Sequence, residues 1–97
     1  MDATPETKEG DLKIWWIPQV PMTAFEVPVK SPEEAAKIMV VLADYDIFQF
    51  ENRVKPDYSN AGGLCVFESG EWVDWEDPET FEQDPVEWFR EKYGRDP

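Results

Sequence analysis

The sequence predicts a small α+β domain, with an antiparallel or mixed β-sheet of about four to five strands, one central helix on one face and a short C-terminal helix. Two observations lead to this fold class. Short apolar runs with strand composition occur on both sides of one amphipathic helix. These runs do not alternate regularly with helices, and two of them are joined by a hairpin-like turn. That order favours antiparallel or mixed pairing over a purely parallel sheet.

The length and the composition indicate one folded domain. The chain has 97 residues, of which 41% are hydrophobic and 14% aromatic, and this is too apolar for a disordered protein even at a net charge of −13. Residues 1–10 are polar and predict a flexible N-terminal tail. Residues 11–97 form the predicted domain.

Two strands are predicted ahead of the helix. Residues 12–17 have strand composition. Pro18 and Pro21 then interrupt the ladder, because proline cannot donate a backbone hydrogen bond. Residues 24–29 form the second predicted strand, in which Pro28 indicates an edge position or a strand end.

The central helix has the clearest start in the sequence. Ser31 is a predicted N-cap, a proline follows at the first helical position, and Glu34 completes a capping box. We expect the helix to end near Asp44. Beyond that point the apolar period changes, and residues 47–51 alternate as in a strand, with a continuing helix as the alternative.

The rest of the chain predicts a loop, a hairpin and a second helix. Residues 52–63 form a long polar loop of the kind that is usually functional. Residues 64–67 and 72–75 flank a Ser-Gly turn, as in a β-hairpin. Asp84 is the predicted N-cap of a C-terminal helix that stops at Gly94.

The residue types of common catalytic sites are scarce. The chain has no histidine, which removes the most frequent general base and metal ligand. Cys65 is the single cysteine and lies in an apolar run, where a buried and unreactive thiol is usual. Ser31, Ser59 and Ser69 fall in a cap, a loop and a turn and not in a nucleophile motif. We therefore predict a non-enzymatic protein with no cofactor and no metal site.

An acidic tract between residues 68 and 91 is the strongest compositional feature. It holds ten acids and one base, Arg90. Carboxylates can bind the Lys and Arg side chains of a partner, so the tract predicts binding to a protein with a basic surface, and DNA mimicry is one form of this. A charged face that only contacts solvent is the alternative. The predicted partner-binding residues are Glu68, Glu71, Asp74, Glu76, Asp77, Glu79 and Glu82, together with Trp15 and Trp16.

A second candidate site lies between residues 44 and 63. It combines aromatic rings for stacking, amides for hydrogen bonds and a local pair of bases, a set that suits a nucleotide-like ligand. Alternatively, the aromatic residues belong to the core and Arg53 pairs with a neighbouring acid. The predicted ligand-binding residues are Tyr45, Phe48, Asn52, Arg53, Lys55, Asp57, Tyr58 and Asn60.

Trp15 and Trp16 are adjacent, so they point to opposite faces of their strand. Either both belong to cores on the two sides of the sheet, or one of them anchors an interface. The interface could be with another protein or with a second copy. A homo-oligomer, and a structural protein that self-assembles, therefore remain open.

The charge balance excludes some partners. The chain has 22 acids and 9 bases, so we expect no direct binding to nucleic acid. The same balance disfavours anionic lipid surfaces. No apolar run approaches membrane-spanning length and the N-terminus has no secretion-signal pattern, so we expect a cytoplasmic protein.

Three segments carry a family resemblance. The strings KIWWIPQVPM at 13–22, LADYD at 42–46 and NAGGL at 60–64 resemble a family of small proteins encoded in tailed-bacteriophage genomes. The resemblance extends over about residues 12–77. It implies an accessory protein that works in the cytoplasm of a bacterial host. Together with the acidic tract, it leads to the hypothesis of a phage protein that binds and inhibits a host factor, with sequestration of a nucleotide-like signal as the alternative.

Overall fold

The computed structural model describes residues 6–53 and 60–97. These residues form one antiparallel sheet and two helices, which confirms the predicted α+β fold. The order of strands in the sheet is β2-β1-β3-β4. The elements are β1 (Leu12–Ile17), β2 (Phe25–Val29), α1 (Pro32–Glu51), β3 (Ala61–Glu68), β4 (Glu71–Asp74) and α2 (Pro85–Tyr93).

The core lies between one face of the sheet and the helices. Strand β1 pairs with both β2 and β3, which places Ile14 opposite Val27 on one side and Leu64 on the other. Ile14 is fully buried, and it packs in one cluster with Met39 of α1 and Trp88 of α2. Strand β2 is at the edge of the sheet, so the edge position indicated by its proline is confirmed.

Helix α1 begins as predicted and ends later. The Ser31 hydroxyl accepts a hydrogen bond from the backbone N–H of Glu34, at 3.1 Å. The Glu34 carboxylate accepts from the backbone N–H of Lys30, one residue before the cap. The helix then runs unbroken to Glu51, so the predicted end near Asp44 and the strand at 47–51 are wrong, and the alternative of a continuing helix is confirmed. The spacing of apolar residues alone could not distinguish helix from strand at residues 47–51, because the second half of the helix is apolar on several sides.

The hairpin of β3 and β4 is confirmed. Its two turn residues, Ser69 and Gly70, have φ angles of 52° and 83°, as a two-residue type I′ turn requires. Strand β3 begins at Ala61, so Gly62 and Gly63 belong to the sheet and not to the predicted loop. The rest of that loop, 54–59, lies outside the described residues.

Helix α2 also follows its local signals. The Asp84 carboxylate accepts from the backbone N–H of Val86 at 2.9 Å, and Gly94 ends the helix in the left-handed conformation. The helix packs against the first part of α1, where the Tyr93 hydroxyl donates to the Glu33 carboxylate at 2.7 Å.

The N-terminal segment reaches the hairpin. Gly10 N–H donates to the Phe67 carbonyl at 2.8 Å, and Ser69 N–H donates to the Glu9 carboxylate at 3.1 Å. Residues 1–5 of the predicted tail lie outside the described residues.

Candidate functional site

Exposed carboxylates concentrate on the hairpin and on the segment that follows it. Each of them is solvent-exposed, and within the part of the chain that the structure describes none forms an ion pair or a side-chain hydrogen bond. Their charges are therefore available to a partner. We call this set the acidic surface: Glu68, Glu71, Asp74, Glu76 and Glu79.

Two carboxylates of the acidic surface face each other directly. Glu68 and Glu71 are cross-strand partners beside the Ser-Gly turn. Like charges at directly opposite positions destabilise a hairpin. The Glu9 carboxylate also lies at this turn. Like-charge repulsion between Glu68 and Glu71 therefore lowers the stability of this end of the hairpin.

Asp77 belongs to the predicted partner-binding set but has a structural role. Its carboxylate accepts hydrogen bonds from the backbone N–H groups of Thr80 and Glu79, at 2.9 and 3.0 Å, and from Trp88 Nε1 at 3.0 Å. These bonds, led by the one from Thr80, lower the pKa of Asp77 below its usual value. Glu82 likewise accepts from two backbone N–H groups that follow it. Both acids hold the turn ahead of α2.

Trp15 and Trp16 each lie against a glycine of β3. The register pairs Trp15 with Gly63 and Trp16 with Gly62. A Cβ atom at Gly63 would lie 2.6 Å from Trp15 Nε1, and one at Gly62 would overlap the Trp16 ring. Trp16 is 7% exposed and belongs to the core, whereas Trp15 is half-buried on the other face. Only Trp15 is therefore placed to contact a partner.

Asp46 is a buried residue that sequence reasoning did not single out. It is 2% exposed, and its carboxylate accepts from Trp16 Nε1 at 2.9 Å and from Asn60 Nδ2 at 2.8 Å. The carboxylate thus joins α1, β1 and the start of β3. An acid on the sheet-facing side of a helix, in register with buried alanines, is the signal that could have identified it.

The predicted ligand-binding residues are only partly brought together. Tyr45 and Phe48 stack on the exposed side of α1, with ring centroids 6.3 Å apart and an interplanar angle of 13°. The Asn52 amide donates to the Phe48 carbonyl, and the Asn60 amide donates to Asp46. Two amides expected to read a ligand are therefore engaged within the protein. Arg53 is exposed, and Lys55, Asp57 and Tyr58 lie outside the described residues.

The second face of the sheet carries a buried cation. Lys13 is 8% exposed; its ammonium lies 3.9 Å from the Trp72 ring centroid and 3.7 Å from a Glu26 carboxylate oxygen. Cys65 is buried beside it, and burial raises the pKa of the thiol. A thiol with a raised pKa is a poor nucleophile, as the sequence predicted for this residue.

Strand β4 pairs with only part of β3, and a cavity lies beyond its end. Pairing with β4 begins at Cys65, and the Leu64 carbonyl accepts from the backbone N–H of Trp75 just beyond β4, at 3.0 Å. Among the described strands, none pairs with Ala61 to Gly63 on the edge that faces away from β1. The cavity of about 330 Å³ is lined by Gly62, Gly63 and Leu64 of this edge and by Trp15, Asp74 and Pro85. Among residues 6–53 and 60–97, no three acidic or cysteine side chains cluster as metal ligands would, and no helix is long and apolar enough to cross a membrane.

Comparisons with known proteins agree on one family. Residues 11–93 match the family model described as superinfection exclusion gene product 17. A superinfection exclusion protein of Salmonella phage P22 is 48% identical over 91 residues, which covers 80% of this chain and 88% of the relative. No solved structure matches.

Proposed function

Because the chain belongs to the superinfection exclusion gene product 17 family of phage proteins, we propose that it is a non-enzymatic accessory protein acting in superinfection exclusion. In this process a phage resident in a bacterium affects infection by a second phage. The protein acts in the bacterial cytoplasm by binding and inhibiting a host protein. It makes this contact through the acidic surface.

The observation that supports this proposal is the set of exposed carboxylates that form no ion pair and no side-chain hydrogen bond with a described residue. In many small domains surface acids alternate with bases and are partly neutralised. Here Glu71, Asp74 and Glu76 follow one another along one strand and its extension with no base between them. Such a surface attracts a basic partner over several ångströms and repels acidic ones.

The chemistry of the surface also indicates the class of partner. Each carboxylate can accept charge-assisted hydrogen bonds from Lys or Arg side chains, as a phosphate does. A host protein that binds nucleic acid presents such side chains together on one surface. We therefore propose a nucleic-acid-binding host protein as the target, with the acidic surface occupying its phosphate positions.

The test compares phage plating on bacteria that produce the chain or its variants. We expect the native chain to change the plating efficiency of at least one challenging phage by about tenfold or more. Glu76→Lys with Glu79→Lys reverses two exposed charges and spares Asp77, which holds the turn. This variant should fold normally and lose most of the effect. It should also associate more slowly with a host protein that the native chain captures from bacterial lysate. The difference should shrink as salt rises, because exposed charges are screened within about 8–10 Å.

Two control variants separate the competing explanations. Glu6→Lys with Asp96→Lys adds the same charge at exposed positions outside both the acidic surface and α1 and should keep the effect. Arg53→Ala with Tyr58→Ala removes two predicted ligand-binding residues and should also keep it. If the second control abolishes the effect while the reversal at Glu76 and Glu79 does nothing, the ligand-binding hypothesis replaces this one.

A further inference from the structure

The second half of α1 exposes five large apolar side chains, and three of them lie along one side of the helix. The other two, Ile47 and Phe50, lie elsewhere around the helix. Val41, Tyr45 and Phe48 are 60%, 57% and 58% exposed, although each is apolar over most of its surface. Their spacing of four and then three residues puts them on one side of the helix. The buried residues Met39 and Asp46 lie on the opposite side, toward the sheet. We call the three exposed residues the α1 stripe.

Neighbouring elements leave the α1 stripe open. Helix α2 contacts the first part of α1, where Tyr93 bonds to Glu33 and Lys92 lies 3.9 Å from the same carboxylate. Glu33 precedes Val41 by eight residues, which is about 12 Å along a helix. Three adjacent exposed apolar side chains on one helix are typical of an interaction surface.

The stripe continues into a pattern typical of helix pairing. Ile38, Val41, Tyr45, Phe48 and Asn52 are spaced by three, four, three and four residues, the a and d spacing of a heptad repeat. Ile38 is half-buried against the core, and Asn52 is the exposed C-cap of the helix. The spacing therefore presents about two heptads on the outer side of α1.

The charged residues beside the stripe indicate what covers it. Lys37, Asp44 and Glu51 repeat at seven-residue spacing along one edge of the stripe, and all are exposed. In the described part of the chain, Lys37 and Glu51 form no ion pair. When two copies of this helix pair antiparallel, the same edge of each copy meets the other. Lys37 of each copy then lies near Glu51 of the other, which gives two such pairs in the dimer.

We propose that the α1 stripe binds the same stripe of a second copy, in an antiparallel pair of helices related by a twofold axis. Val41 of one copy packs against Phe48 of the other, and the axis passes near Asp44 and Tyr45. A twofold interface uses the same patch on both copies and so must be self-complementary. Lys37 and Glu51 carry opposite charges at the two ends of the charged edge of the stripe, so this edge is complementary to itself when the helices pair antiparallel. The proposal does not depend on the acidic surface.

The size of the stripe sets the expected affinity. Stable interfaces bury about 800 Å² on each partner, and three side chains with their flanking residues provide less than that. The net charge of −13 on each copy also opposes association. We therefore expect a dissociation constant in the micromolar range, observable as a concentration-dependent dimer.

Sedimentation equilibrium of the full chain tests the apolar contact. The native chain should change from monomer to dimer as its concentration rises through tens to hundreds of micromolar. Phe48→Glu should weaken the dimer at least tenfold. Phe25→Glu is the matched control, because Phe25 is equally exposed at 58% but lies on β2, and it should leave the dimer unchanged. A native chain that stays monomeric to millimolar concentration overturns the proposal.

A charge exchange tests the antiparallel arrangement. Lys37→Glu should weaken the dimer by about fivefold, since each of two surface pairs is lost and replaced by repulsion. Adding Glu51→Lys to this variant should restore the native affinity. Asp44→Asn should strengthen the dimer, because the two Asp44 carboxylates approach each other at the axis. If the double exchange fails to restore affinity while circular dichroism shows a native fold, the antiparallel pairing is wrong.

Discussion

Two adjacent tryptophans have different environments because a strand sends successive side chains to opposite faces. Trp16 is buried against Gly62, and its indole N–H bonds to the buried carboxylate of Asp46. Trp15 lies over Gly63 on the other face and is half-buried. The two glycines give each ring the space that a Cβ atom would occupy. The adjacency alone predicted opposite faces, but it could not show that one indole is tied to a helix 30 residues away.

Replacing Trp16 by Phe should destabilise the domain by about 2 kcal/mol. The substitution removes the indole N–H, so the buried Asp46 carboxyl group loses one of its donors, and hydrogen bonds to buried polar groups are costly to lose. Trp15→Phe is the matched control, because it removes a ring of the same size that makes no side-chain hydrogen bond to a described residue. Urea denaturation monitored by circular dichroism measures the free energy of unfolding of both variants. Equal midpoints for the two variants would contradict the role given to Asp46.

At the scale of elements, local signals predicted both helix starts, the end of α2 and the hairpin turn, but missed the end of α1 and the start of β3. Ser31 and Asp84 each cap a helix as their sequences indicated, and the Ser-Gly pair forms the predicted turn. The end of α1 was missed because its second half carries apolar residues both on the side that faces the core and on the exposed side. Apolar residues on both sides hide the helical spacing that a one-sided pattern would show. The start of β3 was missed because Gly62 and Gly63 have loop composition. Their place in the sheet depends on tryptophans more than 40 residues earlier in the chain.

Replacing Ser31 by Ala should destabilise the domain by about 1 kcal/mol, the usual effect of losing an N-cap. The Ser31 hydroxyl accepts from the backbone N–H of Glu34, and that donor has no replacement partner within the helix. Ser31→Asp keeps an acceptor at the same position and should keep most of the stability. Thermal and urea denaturation provide the measurement. A Ser31→Ala protein with the native midpoint would show that water accepts the hydrogen bond of the Glu34 N–H group equally well.

At the scale of the whole molecule, two candidate surfaces occupy different elements. The acidic surface lies on the β3–β4 hairpin and its extension, and the α1 stripe lies on the outer side of a helix. Composition identified the acidic tract but could not separate free acids from structural ones. Asp77 is the example, because its carboxylate accepts hydrogen bonds from the backbone N–H groups two and three residues later and from the Trp88 indole. Only the folded chain reveals which charges remain for a partner.

The charge of the whole molecule supports the last prediction, that this protein does not bind DNA or RNA directly at physiological salt. Nucleic-acid binding gains most of its free energy from counterions released when Lys and Arg contact phosphates. The chain has 9 such bases against 22 acids, and Lys13 is buried against Trp72 and Glu26. Fluorescence anisotropy with a labelled duplex and a labelled single strand should show no binding up to about 100 µM protein, the weak end of non-specific affinity. Micromolar binding to an arbitrary duplex would contradict both this prediction and the proposal that the acidic surface takes the place of nucleic acid on a host protein.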